Sequence, residues 1–256
     1  MTHPGWLRKI IGFFNPGGTS PVNWAERPAE EAWQAAVDGE VSFWANWLAT
    51  KGGNYPAFYA ERLDPDLPLQ SNVAELIEVP AGATVRLLDV GAGPLTFLGR
   101  KNPTWHLEIT AVDALAEQYS ALLDDAGVIP PVRTQSCESE RLTEVFAPNS
   151  FDVVFARNTL DHSYDPVGAI TQMVACAKPG AVVFIMHHRN TAEDENYHGM
   201  HQWNFEANDG TLTVWRPGRR ADIGEVLADH GTVERTWFEE TFEYVVIRKA
   251  ALPTTG

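Results

Sequence analysis

The stretch "LLDVGAGPLTFLG", residues 87–99, decides the fold, because an apolar run ends there at two closely spaced glycines. Gly91 and Gly93 let the backbone turn tightly and approach a ligand without a Cβ in the way. A dinucleotide-binding turn carries a third glycine where this chain has Thr96, and that glycine lets a helix pack closely beneath a pyrophosphate. The loop therefore favours a nucleoside ligand without a phosphate at the turn.

Around this loop the sequence alternates apolar runs with amphipathic stretches. Strands are predicted over residues 84–90, 107–113, 130–135, 151–156 and 181–187, and helices over 115–127 and 166–180. Nearly continuous apolar strands separated by such helices are typical of a parallel sheet covered on both faces. With a terminal hairpin over residues 233–249, the sequence predicts an α/β fold with a doubly wound, mostly parallel sheet of about seven strands.

The regions before and after this alternating segment have different sequence patterns. Residues 1–80 are predicted to form a helical cap or lid, whose aromatic stripe is interpreted as core packing. Residues 81–256 are assigned to the ligand-binding domain, with a substrate-side insertion at about 191–218. The further predicted elements are helices over 56–63, 69–79 and 220–231 and a strand over 210–215.

Composition excludes several classes of function. The formal charge of −15 over 256 residues gives a surface that repels phosphate backbones, so no nucleic-acid partner is expected. No apolar run approaches the roughly 20 residues of a membrane span, and two cysteines without metal-ligand spacing indicate a cytoplasmic protein. Residues 1–22 hold a short apolar patch that could dock on the body or pair two copies into a homodimer.

Acidic residues stand where the predicted strands end, and ligands of such sheets bind beyond those ends. Asp89 is the penultimate residue of the first strand, and Asp113 ends the second. Asp113 can accept hydrogen bonds from ribose hydroxyls, and it could also cap the following helix. S-adenosylmethionine, which has a ribose and no pyrophosphate, suits this pattern better than NAD does.

Read together, residues 84–190 resemble the class I S-adenosylmethionine-dependent methyltransferases, particularly the small-molecule enzymes of the methyltransferase-11 kind. The motifs that carry the resemblance are "LLDVGAGPL", "AVD" at 111–113, "SCESERL" at 136–142 and "NSFDVVFARNTLDHSYDP" at 149–166. The resemblance implies a Rossmann-like sheet and S-adenosyl-L-methionine as the methyl donor. Residues 1–80 and 191–256 lie outside it, and substrate identity is expected to depend on them.

The resemblance also implies which residues bind the donor. The methionine part would face Asp89, Gly91, Ala92 and Gly93, the ribose Asp113, and the adenine Ala114, Leu115 and Glu138. The family more often has aspartate at the position of Glu138. Asn158 would lie under the donor, and the neighbouring Cys137 is expected to be a small buried lining residue rather than a nucleophile.

Methyl transfer is an in-line displacement that aligns a nucleophile with the sulfonium carbon and often removes a proton from it. The stretch "RNTLDH", residues 157–162, replaces the Asn/Asp-Pro-Pro-Tyr motif of related base and amide N-methylating enzymes, which favours an oxygen or aliphatic amine acceptor. His162, His188 and His201 are the candidate bases, with Asp161 as an orienting or basic partner. Each of these residues could instead be structural.

A metal site is the competing interpretation of the histidines. The residues that could surround a divalent ion are His162, His187, His188, His201 and Glu193. No pair of them has a dedicated ligand spacing, so no metal is predicted. The segment "NYHGMHQWNF", residues 196–205, mixes amides with aromatic rings, which suits a sugar surface or, alternatively, a packed loop.

The leading hypothesis is therefore a methyltransferase for a small-molecule acceptor, by O-methylation of a sugar, glycan precursor or secondary metabolite. The alternatives are N-methylation of a small amine, a nicotinamide-dependent oxidoreductase, and a non-catalytic partner subunit that keeps the fold.

Overall fold

The structure is a computed structural model, and it describes residues 28–251. The strands are β1 (Thr84–Val90), β2 (His106–Asp113), β3 (Gln135–Ser136), β4 (Phe151–Arg157), β5 (Ala177–His188), β6 (Asn204–Asn208), β7 (Thr211–Arg216), β8 (Arg219–Asp222), β9 (Gly231–Glu239) and β10 (Phe242–Lys249). The helices are α1 (Ala29–Ala49), α2 (Pro56–Leu63), α3 (Ser71–Ala74), α4 (Ala116–Asp125), α5 (Leu142–Val145), α6 (Pro166–Cys176), α7 (Thr191–Asp194) and α8 (Ile223–Val226). The predicted docking or pairing segment, residues 1–22, lies outside the described residues.

Seven strands form the main sheet, in the order β3-β2-β1-β4-β5-β10-β9. The first five of these are parallel, β10 runs antiparallel to β5, and β9 pairs antiparallel with β10. The predicted α/β fold, with its C-terminal antiparallel hairpin, is confirmed. Strand β1 has β2 on one side and β4 on the other, so the order reverses beside β1, and a crevice forms there at the carboxyl ends.

Both faces of this sheet are buried, as the apolar strands predict. Leu88, Val154 and Ile185 point to one core cluster, which α6 covers. Their chain neighbours Leu87 and Phe155 point to a second cluster on the opposite face. Successive side chains of a strand alternate between faces, so a strand that is apolar at every position fits only a sheet covered on both sides.

The connection from β1 to β2 has no helix, although such crossovers usually carry one. Residues 91–105 form turns, and the helical region before β1 packs against them. The backbone carbonyl of Leu67 accepts from the amides of Arg100 and Lys101, and a Cβ on Gly99 would lie 1.9 Å from the Pro68 carbonyl oxygen. The segment before β1 thus occupies the place where a crossover helix would pack.

Several predicted element bounds differ from the structure. The strand predicted over 130–135 is reduced to Gln135–Ser136, because Pro130 and Pro131 have no N–H to donate to a ladder. The helix predicted over 166–180 ends at Cys176, where β5 begins at once. The helices predicted over 69–79 and 220–231 contain only α3 and α8, with β8 pairing to β7 immediately before α8.

A second sheet, β6-β7-β8, is antiparallel and follows β5 in the chain together with α7. It contacts the main sheet where the amide of Ala207 donates to the Glu243 carboxylate, at 3.1 Å. The division at residue 80, the insertion at about 191–218 and the cytoplasmic location stay predictions. Within residues 28–251, no helix combines the length and apolar composition that crossing a bilayer requires.

Candidate active site

A cavity of about 1240 Å³ opens at the carboxyl ends of β1, β2, β4 and β5. Helices α1 and α2 and the turn between β9 and β10 form its other walls. The cavity therefore lies at the crevice where the strand order reverses. It is large enough for a nucleoside and a second small molecule, because ligand pockets of about 300–1,000 Å³ already bury drug-sized ligands.

The glycine loop forms one wall of this cavity and turns as its sequence predicts. Gly91 and Gly93 have φ angles of +68° and +64°, in the region that side-chain-bearing residues rarely adopt. A Cβ on Gly91 would lie 2.0 Å from the Thr159 hydroxyl oxygen, and one on Gly93 would lie 3.0 Å from the Trp44 ring. Both glycines are required for conformation, and Gly91 also for space.

Thr96, at the position of the missing third glycine, is buried and holds Asp89. Its hydroxyl donates to Asp89 Oδ2 at 2.5 Å. Burial raises the pKa of Asp89 to about 6, although the Thr96 hydroxyl favours the carboxylate. Because no helix follows this loop, it offers no helix N-terminus to a pyrophosphate. The loop thus lacks both features that a dinucleotide needs, the third glycine and the helix N-terminus.

Asp113 lines the cavity at the end of β2. One carboxylate oxygen accepts from the amide of Gly93 at 3.0 Å and the other from the amide of Leu115 at 2.9 Å. Each oxygen keeps a second lone pair for a ribose hydroxyl, so the helix-cap and ribose interpretations are compatible. Burial raises the pKa of Asp113 to about 6, and the two amides partly offset that shift.

The other predicted donor-binding residues also line the cavity, namely Asp89, Ala92, Ala114, Leu115, Cys137, Glu138 and Asn158. Glu138 accepts from the Tyr164 hydroxyl at 2.7 Å. Burial raises the pKa of the Cys137 thiol to about 11, which agrees with a lining rather than a nucleophilic role. Asn158 has a φ of +49°, and among residues 28–251 its buried side-chain oxygen has no hydrogen-bond partner.

Three of the four predicted catalytic residues form one cluster. Asp161 is fully buried, and its Oδ2 lies 2.6 Å from His201 Nδ1 and 3.9 Å from His162 Nε2. His162 Nε2 and His201 Nδ1 are 3.2 Å apart. His187, on β5, donates from Nε2 to Asp161 Oδ1 at 3.0 Å. Residues from three separate segments therefore converge on one carboxylate.

The charges of this cluster follow from its burial. Burial opposes ionisation of Asp161, but the surrounding imidazoles outweigh it and hold its pKa well below the usual value. Burial lowers the pKa of His162. Burial would also lower the pKa of His201, but the Asp161 carboxylate outweighs burial and raises that pKa. His162 lines the main cavity, whereas His201 lines a smaller pocket of about 160 Å³ beside it.

His188, the fourth predicted catalytic residue, lines the main cavity separately from the cluster. Its Nδ1 donates to the Thr241 carbonyl at 3.0 Å, and its ring packs on Phe242 with centroids 3.9 Å apart. Burial lowers its pKa to about 4, so the ring is neutral at pH 7. With the proton on Nδ1, Nε2 carries a lone pair.

Sequence reasoning missed Arg157, the last residue of β4. Its guanidinium carbon lies 4.4 Å from the Phe97 ring centroid, 5.0 Å from that of Phe242 and 5.3 Å from that of Phe58. Within residues 28–251 its guanidinium has ring contacts but no hydrogen bond or ion pair, and its Nε is buried without a partner. A charged residue that follows the apolar run 153–156 and ends its strand at the ligand-binding edge is the signal that could have found it.

Arg62 and the tryptophans of α1 also line the cavity. Arg62 donates from Nη1 to the Leu95 carbonyl at 2.6 Å and lies against the Phe58 ring. Trp44 packs edge-on against Tyr119, so the aromatic stripe interpreted as core packing also faces the cavity.

The segment 196–205 is a packed loop. Gln202 is buried and donates to the carbonyls of Tyr197 and Gly199, at 2.7 and 2.9 Å. Asn204 is fully buried and donates to the Tyr197 hydroxyl at 3.0 Å. The amides and rings that suggested a sugar surface are therefore used inside the protein.

Comparison with known proteins decides the family. The model of the family described as a methyltransferase domain matches residues 55–231. The chain belongs to this methyltransferase family. The methyltransferase uses S-adenosylmethionine as its methyl donor, and its fold is the Rossmann-like one that the resemblance implied. The match removes the support for the nicotinamide-dependent oxidoreductase.

Solved structures similar to this methyltransferase share its fold at low identity. A Methanococcus maripaludis protein described as an S-adenosyl-L-methionine-dependent methyltransferase is 11% identical to this chain. The similarity covers 93% of this chain and 100% of that protein, with a TM-score of 0.50. The 1,6-didemethyltoxoflavin-N1-methyltransferase of Burkholderia thailandensis is 18% identical over 91% of this chain and 93% of its own, with a TM-score of 0.44. No protein of curated function matches the chain.

The residues present fit the methyl donor. We call Asp89, Gly91, Gly93 and Asp113 the donor wall, because they lie together at the ends of β1 and β2. The glycines give the loop a course that a Cβ would block, because it would meet Thr159 at Gly91 or Trp44 at Gly93, and Asp113 keeps lone pairs for two hydroxyls. When bound, the donor supplies an electrophilic methyl group, and the protein has to place a nucleophile against it.

Proposed function

We propose that this methyltransferase methylates an oxygen of a small molecule that has a flat apolar body and a negatively charged group. The proposal depends on what we call the acceptor wall, which consists of Phe58, Arg157, His162, His188 and Phe242. These residues line the same cavity as the donor wall but come from α2, β4 and its following turn, β5 and β10. Rings and a guanidinium without an acceptor suit an aromatic anion better than a neutral sugar.

The observation that carries the proposal is Arg157. A guanidinium has five N–H donors, and buried polar groups are almost always hydrogen-bonded. In the described part of the chain, the Arg157 guanidinium contacts three ring faces and forms no hydrogen bond or ion pair, although Tyr244 and the Asp89 carboxylate partly offset the lowering of its pKa by burial. A carboxylate or phosphate on the acceptor would satisfy its donors in bidentate geometry, while Phe58 and Phe242 would contact the acceptor's body.

His188 is the proposed general base. The Thr241 carbonyl fixes its proton on Nδ1 and leaves Nε2 free to accept one. Its lowered pKa keeps the ring unprotonated at neutral pH. During in-line transfer, the acceptor oxygen would attack the methyl carbon while its proton moves to Nε2.

Asp161, His162 and His201 are proposed to position the acceptor hydroxyl rather than to take its proton. His162 is the member of the cluster that lines the cavity, and its Nε2 lies 3.2 Å from Nδ1 of His201, which Asp161 in turn contacts at 2.6 Å. A side chain that packs against a ring fixed in this way keeps one orientation, which is the requirement for aligning a nucleophile.

The test is transfer of labelled methyl from S-adenosylmethionine to three acceptor sets: hydroxylated aromatic carboxylates, sugars and alkylamines. We expect turnover with the first set, and at least a tenfold loss of kcat/KM for those acceptors in Arg157→Met. Phenols without a charged group should be affected much less by that substitution. Turnover confined to sugars or to amines would overturn the proposal.

A binding control separates the acceptor from the donor, because the donor also has a carboxylate. Adenosylhomocysteine carries the amino-acid end, and methylthioadenosine lacks it. Arg157→Met should leave the calorimetric affinity for both compounds unchanged. If it weakens adenosylhomocysteine alone, Arg157 binds the donor's carboxylate and the proposed acceptor class is wrong.

A further inference from the structure

We propose that Asp161, His162 and His201 bind one divalent transition-metal ion at the edge of the cavity. This inference extends the positioning role given to these residues under the proposed function. Two imidazole nitrogens and one carboxylate oxygen are a ligand set that suits zinc and its first-row neighbours. Among the described residues, these three place one ligand atom each within 4.8 Å of one another.

The distances between the three atoms are short enough for all three to bind one shared ion. Asp161 Oδ2, His162 Nε2 and His201 Nδ1 form a triangle with sides of 2.6, 3.2 and 3.9 Å. The circle through its corners has a radius of about 2.0 Å, which is close to Zn–N and Zn–O bond lengths. An ion bound to all three atoms in the tetrahedral geometry of zinc would require the 3.9 Å pair, Asp161 Oδ2 and His162 Nε2, to approach and the 2.6 Å pair, Asp161 Oδ2 and His201 Nδ1, to separate.

Hydrogen bonds within the cluster leave one of its nitrogen atoms without a partner. His201 Nδ1 can donate one proton, and it faces both Asp161 Oδ2 and His162 Nε2. When it donates to the carboxylate at 2.6 Å, His162 Nε2 has no proton donor or acceptor of its own at this centre. A cation satisfies both nitrogens and the oxygen at once.

The surroundings have the features of a supported metal site. The second oxygen of Asp161 lies 3.0 Å from His187 Nε2, in the way that ligating carboxylates are oriented by a hydrogen bond behind them. The two ligating imidazoles are 20% and 23% exposed, so an ion can reach them although Asp161 is fully buried. The carboxylate of Glu40 lines both adjoining cavities and adds negative charge there.

Such an ion would lie beside the cavity that His162 lines, with coordination positions left for an oxygen of the acceptor. It would orient that oxygen and withdraw electron density from its O–H bond, which His188 would then deprotonate. The ligand class implied for the acceptor is a hydroxyl with a second oxygen near it, able to bind the ion through both.

The test uses the full-length protein after chelator treatment, titrated with Zn²⁺ by calorimetry and with Co²⁺ by visible absorption. We expect one ion per chain, and no binding of Mg²⁺, which prefers oxygen ligands. His162→Gln and His201→Gln should weaken Zn²⁺ at least tenfold. His106→Gln, an exposed histidine at the start of β2, and His188→Gln, outside the triangle, should bind Zn²⁺ like the original protein.

Two further measurements keep the test decisive. X-ray absorption of the zinc complex of the unsubstituted protein should show two imidazole ligands, whatever the variants do. Adenosylhomocysteine binding to the metal-free variants reports whether each has folded, and it tests donor binding independently of the metal. Equal Zn²⁺ affinity in all four variants, no binding at millimolar Zn²⁺, or fewer than two imidazole ligands would overturn the metal site and leave the methyltransferase proposal standing.

Discussion

The donor wall and the acceptor wall lie in one cavity but are built in different ways. On the donor wall, polar side chains bond within the first two motifs: Asp89 to Thr96 in the same loop, and Asp113 to the amide of Leu115 beside it and to that of Gly93 in the preceding motif. The contacts of the acceptor wall span the chain. His162 meets His201 from beyond β5, and His188 is held by the turn before β10.

This difference separates two demands on a methyltransferase. The donor is the same molecule in every turnover, so a compact motif with satisfied hydrogen bonds can bind it. The acceptor wall keeps an unsatisfied group, Arg157 Nε, which has no hydrogen-bond partner among the described residues. We therefore expect substitutions on the donor wall to affect every acceptor equally, and those on the acceptor wall to depend on the acceptor used.

The largest effect is expected for Gly91→Ala, which tests whether the donor wall tolerates any change. The new Cβ would lie 2.7 Å from Thr159 Cβ even if the Thr159 hydroxyl rotated away, and φ is +68°. Left-handed strain of about 1–2 kcal/mol and overpacking of about 1–3 kcal/mol add together. Adenosylhomocysteine affinity should fall at least a hundredfold, as measured by calorimetry.

Gly82→Ala is the matched control, because Gly82 has a φ of +79° and a Cβ added there would have nothing within 4 Å of it. It should lower the free energy of unfolding by the strain of about 1–2 kcal/mol alone and leave donor affinity unchanged. Equal effects of the two substitutions on donor binding would mean that the space beside Thr159 is unimportant.

Asp113→Asn should have the next largest effect. The amide keeps the shape of the side chain but loses one acceptor oxygen and the charge, and its NH₂ group would face a backbone N–H. Hydrogen bonds to charged groups contribute about 1.5–3 kcal/mol, so adenosylhomocysteine should bind about ten to a hundred times more weakly. Asp125→Asn, at the exposed end of α4, should bind as before.

The pH dependence of donor binding also tests the role of the Asp113 carboxylate. Burial raises the pKa of Asp113 to about 6, so the carboxyl takes up a proton as the pH falls below that value. The protonated form has lost the charge that attracts ribose hydroxyls. Adenosylhomocysteine affinity should therefore be constant above pH 7 and fall as the pH decreases through about 6. Burial also raises the pKa of Asp89 on the donor wall to about 6, so in Asp113→Asn the decrease over this range should become smaller rather than vanish. A decrease of the same size as in the unsubstituted protein would assign it to Asp89 or another group.

The same contrast explains what could be predicted from the sequence. The bounds of β1 and α2 were predicted to the residue, because β1 ends at a glycine turn and α2 begins with proline at its first position. The donor-binding candidates occur in contiguous motifs, and the structure places them all along one cavity. Local patterns therefore specify the fold and the donor wall.

The acceptor wall was only partly predictable, because its neighbours are far apart in the chain. His162 and His201 were recognised as candidates, but no spacing indicated that both face Asp161. The ring contacts of Arg157 come from Phe58, Phe97 and Phe242, in three different segments. The missing helix after β1 was also not predicted, since tertiary packing of residues 67–69 against 99–101 decides it.

The smallest effect is expected for Arg157→Met, and Arg62 is the arginine with which to compare it. Arg62 and Arg157 both lie against the Phe58 ring, but only Arg62 donates a hydrogen bond to the backbone, at Leu95. Arg62→Met should lower the free energy of unfolding by about 1.5–3 kcal/mol, because that charged hydrogen bond is lost and the Leu95 carbonyl is left buried.

Arg157→Met should change the free energy of unfolding by less than about 1 kcal/mol, measured by urea denaturation. Methionine keeps an apolar side chain against the rings, and the lost cation–π contacts are offset by relief from burying a charge without an acceptor. A fold that gains little from a buried guanidinium has no structural reason to keep it, which leaves ligand binding as its role. If Arg157→Met instead destabilised the protein as much as Arg62→Met, Arg157 would be structural, and the acceptor wall would lose the residue on which its charge preference depends.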